Sequence, residues 1–589
     1  MNAENIVYIY DRGLQTTVNE RGQNFWYVYV EEIFDQLGLC AKAVEPTERA
    51  ITDTLQNAGC LVIGPVGDEA LLPSIEPALR DWVAGGGILV GLGCLGLDEL
   101  FGVSGGSVIR QPRDDFSLNG FFDLKNVAVA AGVHSYLHPA QKLLVLSDVR
   151  CVETVDAGVV GQYSYANGRP SSYSAITERS IGSGYSFYFA FDVPKTIWVL
   201  HQGRPVDADY DGDGHFRSSD ARVIGQNEEE VMYADEILFV LQNMIARRHQ
   251  PFICPSPPVD GGVPDMLLFW GGDDEAKAGA QVQSSDFMAA RKLPYHLNIM
   301  PLNGEFSLSP AEADHIRSNG HELSLHYNFI SGLDQPYAFT EADIAEQAGA
   351  FERAFGRAAE CTVNHCVTWV GWAEPAKWMA ACGGTADNGR IHSATPPMNP
   401  ANQIGFSFGT AFPYYFYDDW RDGNSRLDFI EEPWAAYEVG YQQGETDLPL
   451  VHRALDLAAH YGLTMNMFYH PPNVANVPAC RAAIDEVLSY IKQRGLRVKH
   501  MGNDELARWW RKRSASRVEC IRSKNGSIRF FAQTDHADGM VVKIPTQAET
   551  ASICRCSGRE AAFENRYEFG QNWVYVVTPS GGCEIEVQL

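Results

Sequence analysis

Nowhere in the 589 residues is there an unbroken apolar run of about eighteen, the length at which a bilayer-spanning helix becomes readable, so no segment reads as one. The opening Met-Asn-Ala-Glu-Asn-Ile lacks the basic start and apolar core of a secretory leader, and a cytoplasmic home is expected. Positive charge is scarce. Lys and Arg number 46 against 74 Asp and Glu, a net charge of −28, which argues against nucleic acid or an anionic membrane surface as partner, because phosphate binding needs clustered cations. The densest basic run, Arg508-Trp509-Trp510-Arg511-Lys512-Arg513, reads as a helix end whose cations complement the helix dipole. The 13 cysteines have no regular spacing, which argues against a disulfide framework and suits reduced thiols; Cys554, Cys556 and Cys583 read as packed thiols rather than a metal knuckle. There is no internal repeat and no low-complexity tract.

What remains is an ordinary soluble composition, 45% hydrophobic and 20% charged, in a chain long enough for several cores. Residues 5 to 100 alternate strand and helix patterns, implying a parallel sheet in an α/β layer. From 103 to 200 short β-branched and aromatic runs broken by turn residues read as antiparallel hairpins, an insertion in a first domain spanning 1–250. A periodic helix is expected from Glu228 to Arg248, followed by a Pro- and Gly-rich linker at 251–264. Residues 265–513 alternate again, with helices predicted over 310–318, 340–355, 375–382, 448–461 and 478–494. That pattern fits a (β/α) barrel, whose functional groups sit on the loops after its strands. Residues 516–589 read as a β-sandwich, so the class is α/β and multidomain.

Three apolar runs discharge into ionisable groups. Met266-Leu267-Leu268-Phe269-Trp270-Gly271-Gly272 ends in Asp273-Asp274-Glu275; Gly320-His321-Glu322-Leu323-Ser324-Leu325 ends in His326; Asn466-Met467-Phe468-Tyr469 ends in His470. Carboxylates and imidazoles at successive strand ends suit a metal-dependent hydrolase. A helical His-Glu-x-x-His site is excluded, because His321 and His326 are five apart rather than four. Two carboxylates alone, Asp273 with Glu431 or Glu432, would instead suit a glycosidase.

These motifs resemble those of the NodB-type polysaccharide deacetylases of carbohydrate esterase family four, over roughly residues 265–513. The resemblance implies Asp273 as catalytic base, Asp274 and His326 as ligands of a divalent ion, zinc by preference, and His470 as general acid. The family's second histidine is absent, Ile330 standing in its place, and so is its Arg-Pro-Pro-Tyr motif; His365, in Val363-Asn364-His365-Cys366, is the candidate third ligand. The implied activity is removal of an N- or O-acetyl group from a sugar or polysaccharide, with Trp270, Tyr327, Trp369 and Trp420 as candidate sugar-stacking residues. The same barrel stripped of its metal would be a carbohydrate-binding module.

Two further patterns stand out. Asp209-Tyr210-Asp211-Gly212-Asp213-Gly214-His215 with Asp220 fits the calcium-loop template, making Asp209, Asp211, Asp213, His215 and Asp220 candidate ligands. The segment Val83 to Cys94 resembles the strand-to-nucleophile turn of class I glutamine amidotransferase-like, flavodoxin-like domains; the rest of that triad is missing, and Cys94 reads as a packed thiol.

Overall fold

The computed structural model describes residues 5–589 apart from 134–140, 225–230, 331–337, 392–402, 443–444 and 525. The apolar runs near the N-terminus form the parallel strands Lys42–Val44, Asn5–Ile9, Ala58–Ile63 and Ile88–Leu92, in that spatial order. Their side chains alternate between two cores, Ile6, Tyr8 and Val62 in one, Val7, Ile9 and Ile63 in the other, so nearly every position is apolar. The hairpin region predicted as an insertion continues this sheet. Gly184–Phe189 pairs parallel to Ile88–Leu92, and Pro170–Ile181, Gly158–Tyr165, Gly120–Leu124 and Leu143–Val145 follow antiparallel, giving nine strands. Cys94 lies buried in one of those cores, and burial pushes its thiol up to about 12, which suits packing and not nucleophilic attack.

The helix Tyr233–Ile245 is buried along its whole length. Glu228 to Glu230, predicted as its first turn, lie outside the described residues. The segment 251–264 does not run free as a linker. Phe252–Ile253 pairs antiparallel with Met540–Gln547 and so becomes an edge strand of the C-terminal sandwich. That sandwich packs Met540–Gln547, Gln571–Thr578 and Phe563–Glu568 against a five-stranded sheet, with Val518, Phe530, Val542 and Ile585 between them and Cys554 and Cys583 as core thiols.

The central region carries parallel strands in the order Ala436–Tyr437, Thr464–Phe468, Met266–Asp273, His296–Ile299, Glu322–Tyr327, Cys361–Asn364, Ala386–Asp387 and Arg426–Glu431, with Tyr414–Tyr417 antiparallel at one edge and Val498–Met501 paired to Met266–Asp273. Among the described residues the hydrogen bonds do not close this array into the predicted barrel. The helices Pro310–Ser318, Leu448–Tyr461 and Pro478–Arg494 occupy their predicted spans, and Glu341–Phe355 and Glu374–Ala381 lie within a residue of theirs. Local chemistry explains the agreement. Ser309 and Glu312 cap the first reciprocally, proline opens all three, and Gly462 and Gly495 end the other two in left-handed conformation.

Arg513, in the helix Asn503–Ala515, ties the three regions together. Its buried guanidinium donates to the Asp35 and Gln36 carbonyls at 2.7 and 2.9 Å, and to those of Ile253 and Cys254 at 2.9 and 3.1 Å. Asp35 and Gln36 belong to the last turn of the helix Val30–Leu37, where the dipole is negative; the Asp35 carbonyl also accepts the Gly38 N–H. Arg513→Met is expected to lower stability by about 3 kcal/mol, read as a shifted urea midpoint, because it orphans buried acceptors. Arg513→Lys should recover little of it, lacking the planar fork.

His201 is buried and its Nδ1 lies 2.8 Å from the Tyr29 hydroxyl; burial holds its pKa down to about 3. A folded-state pKa below the unfolded value of about 6.5 means that its contribution is complete above pH 6.5 and is lost as pH falls toward 3. His201→Asn is therefore expected to flatten the acid limb of a plot of unfolding midpoint against pH.

Candidate metal centre

The carboxyl ends of the central strands face one another, and the residues that terminate them meet. Asp273 ends Met266–Asp273, His326 lies near the end of Glu322–Tyr327, His365 follows Cys361–Asn364, and His470 caps the helix Pro471–Asn476 after the strand Thr464–Phe468. Glu275 joins them from the loop after Asp273, its backbone at a φ of 50°. Glu275, His326 and His365 each offer a ligand atom within 4.8 Å of the others, and so do Asp273, Glu275 and His470.

The individual separations are informative. His326 Nε2 stands 3.6 Å from Asp273 Oδ2 and 3.8 Å from Glu275 Oε1; His365 Nε2 is 3.4 Å from Glu275 Oε2, and His470 Nε2 is 3.7 Å from Glu275 Oε1. These exceed a hydrogen bond of about 2.7–3.2 Å. They match the spacing of about 3.4 Å between donors bound at about 2.1 Å to one tetrahedral ion. His326 Nε2 is moreover buried and makes no hydrogen bond. A carboxylate with two imidazoles is a donor set suited to zinc-class divalent ions.

The surroundings orient each group. His326 Nδ1 lies 3.2 Å from the Val363 carbonyl, which leaves Nε2 pointing at the cluster. Glu438 Oε1 lies 2.8 Å from His470 Nδ1 and also receives the Asn473 amide. Burial works against a charged His470, yet Glu438, Asp273 and Glu275 lift it to about 9. His365 is likewise opposed by burial and raised to about 10 by its neighbours Cys366 and Glu275. Burial raises the Asp273 carboxyl, which receives the Asn298 amide at 3.0 Å. Glu275 is held far below the ordinary carboxylate range: burial opposes its charge, but His326, His365 and His470 outweigh it.

Asp274 does not join the cluster, in contrast to its predicted role as ligand. Its Oδ1 accepts the Ala276 and Met300 N–H groups at 3.0 and 2.8 Å, and its Oδ2 the Gln281 amide at 2.7 Å, so both oxygens already hold the loop. The predicted aromatic residues are packed elsewhere. Trp270 is fully buried and donates to His500, Tyr327 stacks on Phe329, Trp369 lies against Arg390, and Trp420 sits against Gly22 of the N-terminal region. Glu275 and Glu438 escaped the sequence reading. Glu275 adjoins the recognised carboxylate pair, and no local pattern marks Glu438.

The acidic loop lies beside this centre. Asp209, Asp211 and Asp220 converge, whereas Asp213 turns to Arg217 at 3.4 Å and His215 is absent from the converging group. The chain flanking the loop bridges Val206 to Gly371 and Arg217 to Thr368, just past His365. Within that segment Cys366 and Val367 adopt φ of 53° and 51°, a conformation costly for a β-branched residue.

No protein-family model matches the sequence, and no curated protein does. Among solved structures the chain is similar to the carbohydrate deacetylase Agd3, at 10% identity and a TM-score of 0.41, covering 100% of this chain and 99% of that one. It is similar also to a family 4 carbohydrate esterase from Streptomyces lividans, at 11% identity and 0.23 over 41% of this chain and 93% of that one. A β-galactosidase from Rahnella sp. R3 matches at 10% and 0.24, covering 32% of this chain and 29% of that one. Likenesses this weak carry no functional argument, which rests on the geometry above.

Asp274→Ala is expected to lower the thermal midpoint, corresponding to about 2–4 kcal/mol, by leaving the Met300 and Ala276 N–H groups unpaired and the Gln281 amide with Ser307 alone.

Proposed function

We propose that the chain is a divalent-metal hydrolase that removes an acetyl group from an acetylated carbohydrate, with Glu275, His326 and His365 holding the ion and Asp273 and His470 flanking it. The observation that carries this reading is the set of separations from 3.4 to 3.8 Å among their donor atoms, with Glu275 common to all three imidazoles. The substrate class rests on the resemblance of the strand-end motifs to the polysaccharide deacetylases.

When bound, a divalent ion supplies an electrophile for the acyl oxygen and acidifies a nearby water. Asp273, held by the Asn298 amide, is placed to take a proton from the attacking water. His470, fixed by Glu438 on Nδ1, presents Nε2 to the cluster and is placed to protonate the departing nitrogen or oxygen. The acyl carbon gains the water oxygen and loses the sugar; acetate and a free amine or hydroxyl leave. The glycosidase alternative has less support, because Glu431 and Glu432 are fully buried, Glu431 accepting the Arg390 N–H and Glu432 the Asn503 amide.

The test is acetate release from N-acetylated and O-acetylated oligosaccharides by the zinc-loaded chain. Activity is expected to vanish with chelator and return with the metal. Asp273→Asn and His470→Asn should each lower kcat by about 10²–10⁴-fold. Absence of acetate release by the loaded wild type from every acetylated sugar tried would leave a binding protein.

A further inference from the structure

Where the N-terminal domain, the central strands and the C-terminal sandwich meet, they leave a partly enclosed cavity with about 70 Å³ open to the centre of a water molecule, room for about five waters or an organic molecule of that size. It lies at the opposite end of the strand array from the metal cluster. Met266, which opens the strand that Asp273 ends, lines it, so the two sites are about 23 Å apart along an extended strand. Most of its wall is apolar, with Leu238, Phe239, Tyr461 and Phe569 prominent.

Two cations line it. Arg566 is matched by Glu564 at 2.8 Å and Asp265 at 3.1 Å. Lys543 has no such match: among the described residues its ammonium makes no hydrogen bond or ion pair, and its company is the rings of Trp573 at 5.0 Å and of Phe252 and Phe569 at 5.9 Å each. The carboxylate of Glu568, also in the wall, is taken by the Tyr575 hydroxyl. Aromatic faces attract an ammonium but do not replace its lost water, and burial lowers the Lys543 pKa even though Cys254 and the Glu568 carboxylate, at longer range, favour its charged form. A cation without an ion pair in the wall of a small, mostly apolar cavity is complemented by a single negative charge on a short apolar stem. A dianion is disfavoured, because Lys543 is the one lining cation without an ion pair among the described residues and the Asp235 and Glu568 carboxyl groups also line the wall.

We propose that this cavity binds a small monocarboxylate of about four carbons, its carboxylate on the Lys543 ammonium and its stem against Phe239, Tyr461 and Phe569. Since the pocket exists only where three regions of the chain meet, such a ligand would stabilise their junction in proportion to its occupancy. This inference is independent of the hydrolase reading.

The experiment is titration calorimetry of the full-length wild type with sodium butyrate, alongside sodium chloride, butyramide and butylamine. Butyrate is expected to bind at one site and to raise the thermal midpoint; butyramide should bind at least about tenfold more weakly, and butylamine and chloride should give no saturable heat. Lys543→Met is expected to weaken butyrate by about ten- to a hundredfold without impairing folding, since it removes an unmatched charge. No saturable heat with butyrate, equal binding of butyramide, or undiminished binding by Lys543→Met would overturn the proposal. Should that variant fail to fold, Lys543→Gln and the wild-type preference for butyrate over butyramide decide the matter.

Discussion

One carboxylate organises the centre of this molecule. Three largely buried imidazoles, those of His326, His365 and His470, converge on Glu275, and none of the three is close enough to satisfy it as a hydrogen-bond partner. Asp273 and Glu438 join Glu275 in facing these rings, and the nitrogens turned toward Glu275 stand beyond ordinary hydrogen-bond reach, at 3.4 to 3.8 Å. Carboxylates and imidazoles spaced in this way form a candidate ligand set, in which neutral imidazoles would turn lone pairs toward a common cation. The left-handed backbone at Glu275 and Ala276 brings the side chain back over the strand ends. Asp274 pins that loop from beneath through Met300, Ala276 and Gln281.

The rest of the chain supports this arrangement from outside. The N-terminal region reaches the site through the bridges at Gly371 and Thr368, which hold the segment after His365, whose backbone is itself strained at Cys366 and Val367. At the far end of the same strands, Arg513 joins the last turn of an N-terminal helix to the strand Phe252–Ile253 of the sandwich. A candidate ligand set drawn from four strand ends needs a scaffold that cannot splay, and contacts spread over all three regions provide one.

Much of this was legible in the sequence, for identifiable reasons. Asp273, His326 and His470 each follow an apolar run, and a fully buried parallel strand that stops at an ionisable residue must deliver it at the array's edge. Helices with capping boxes, N-terminal prolines and C-terminal glycines were readable to within a residue. Asp274 misled because adjacent residues at a strand end point to opposite sides, and only the fold shows that its side faces the Met300 and Ala276 N–H groups. Glu275 was hidden by needing a positive φ to turn back, and Glu438 by lying in a segment without periodicity. Closure of the strand array and the pairing of Phe252–Ile253 with Met540–Gln547 depend on contacts hundreds of residues apart, which composition and period do not encode.

The most direct test of the central arrangement is metal content, by mass spectrometry, of the purified wild type, Glu275→Ala and Asp274→Asn after zinc loading and desalting. The expected result is about one ion per chain in the wild type and in Asp274→Asn, and none in Glu275→Ala. An ion lost from Asp274→Asn but kept by Glu275→Ala, or no ion in the wild type, would contradict it.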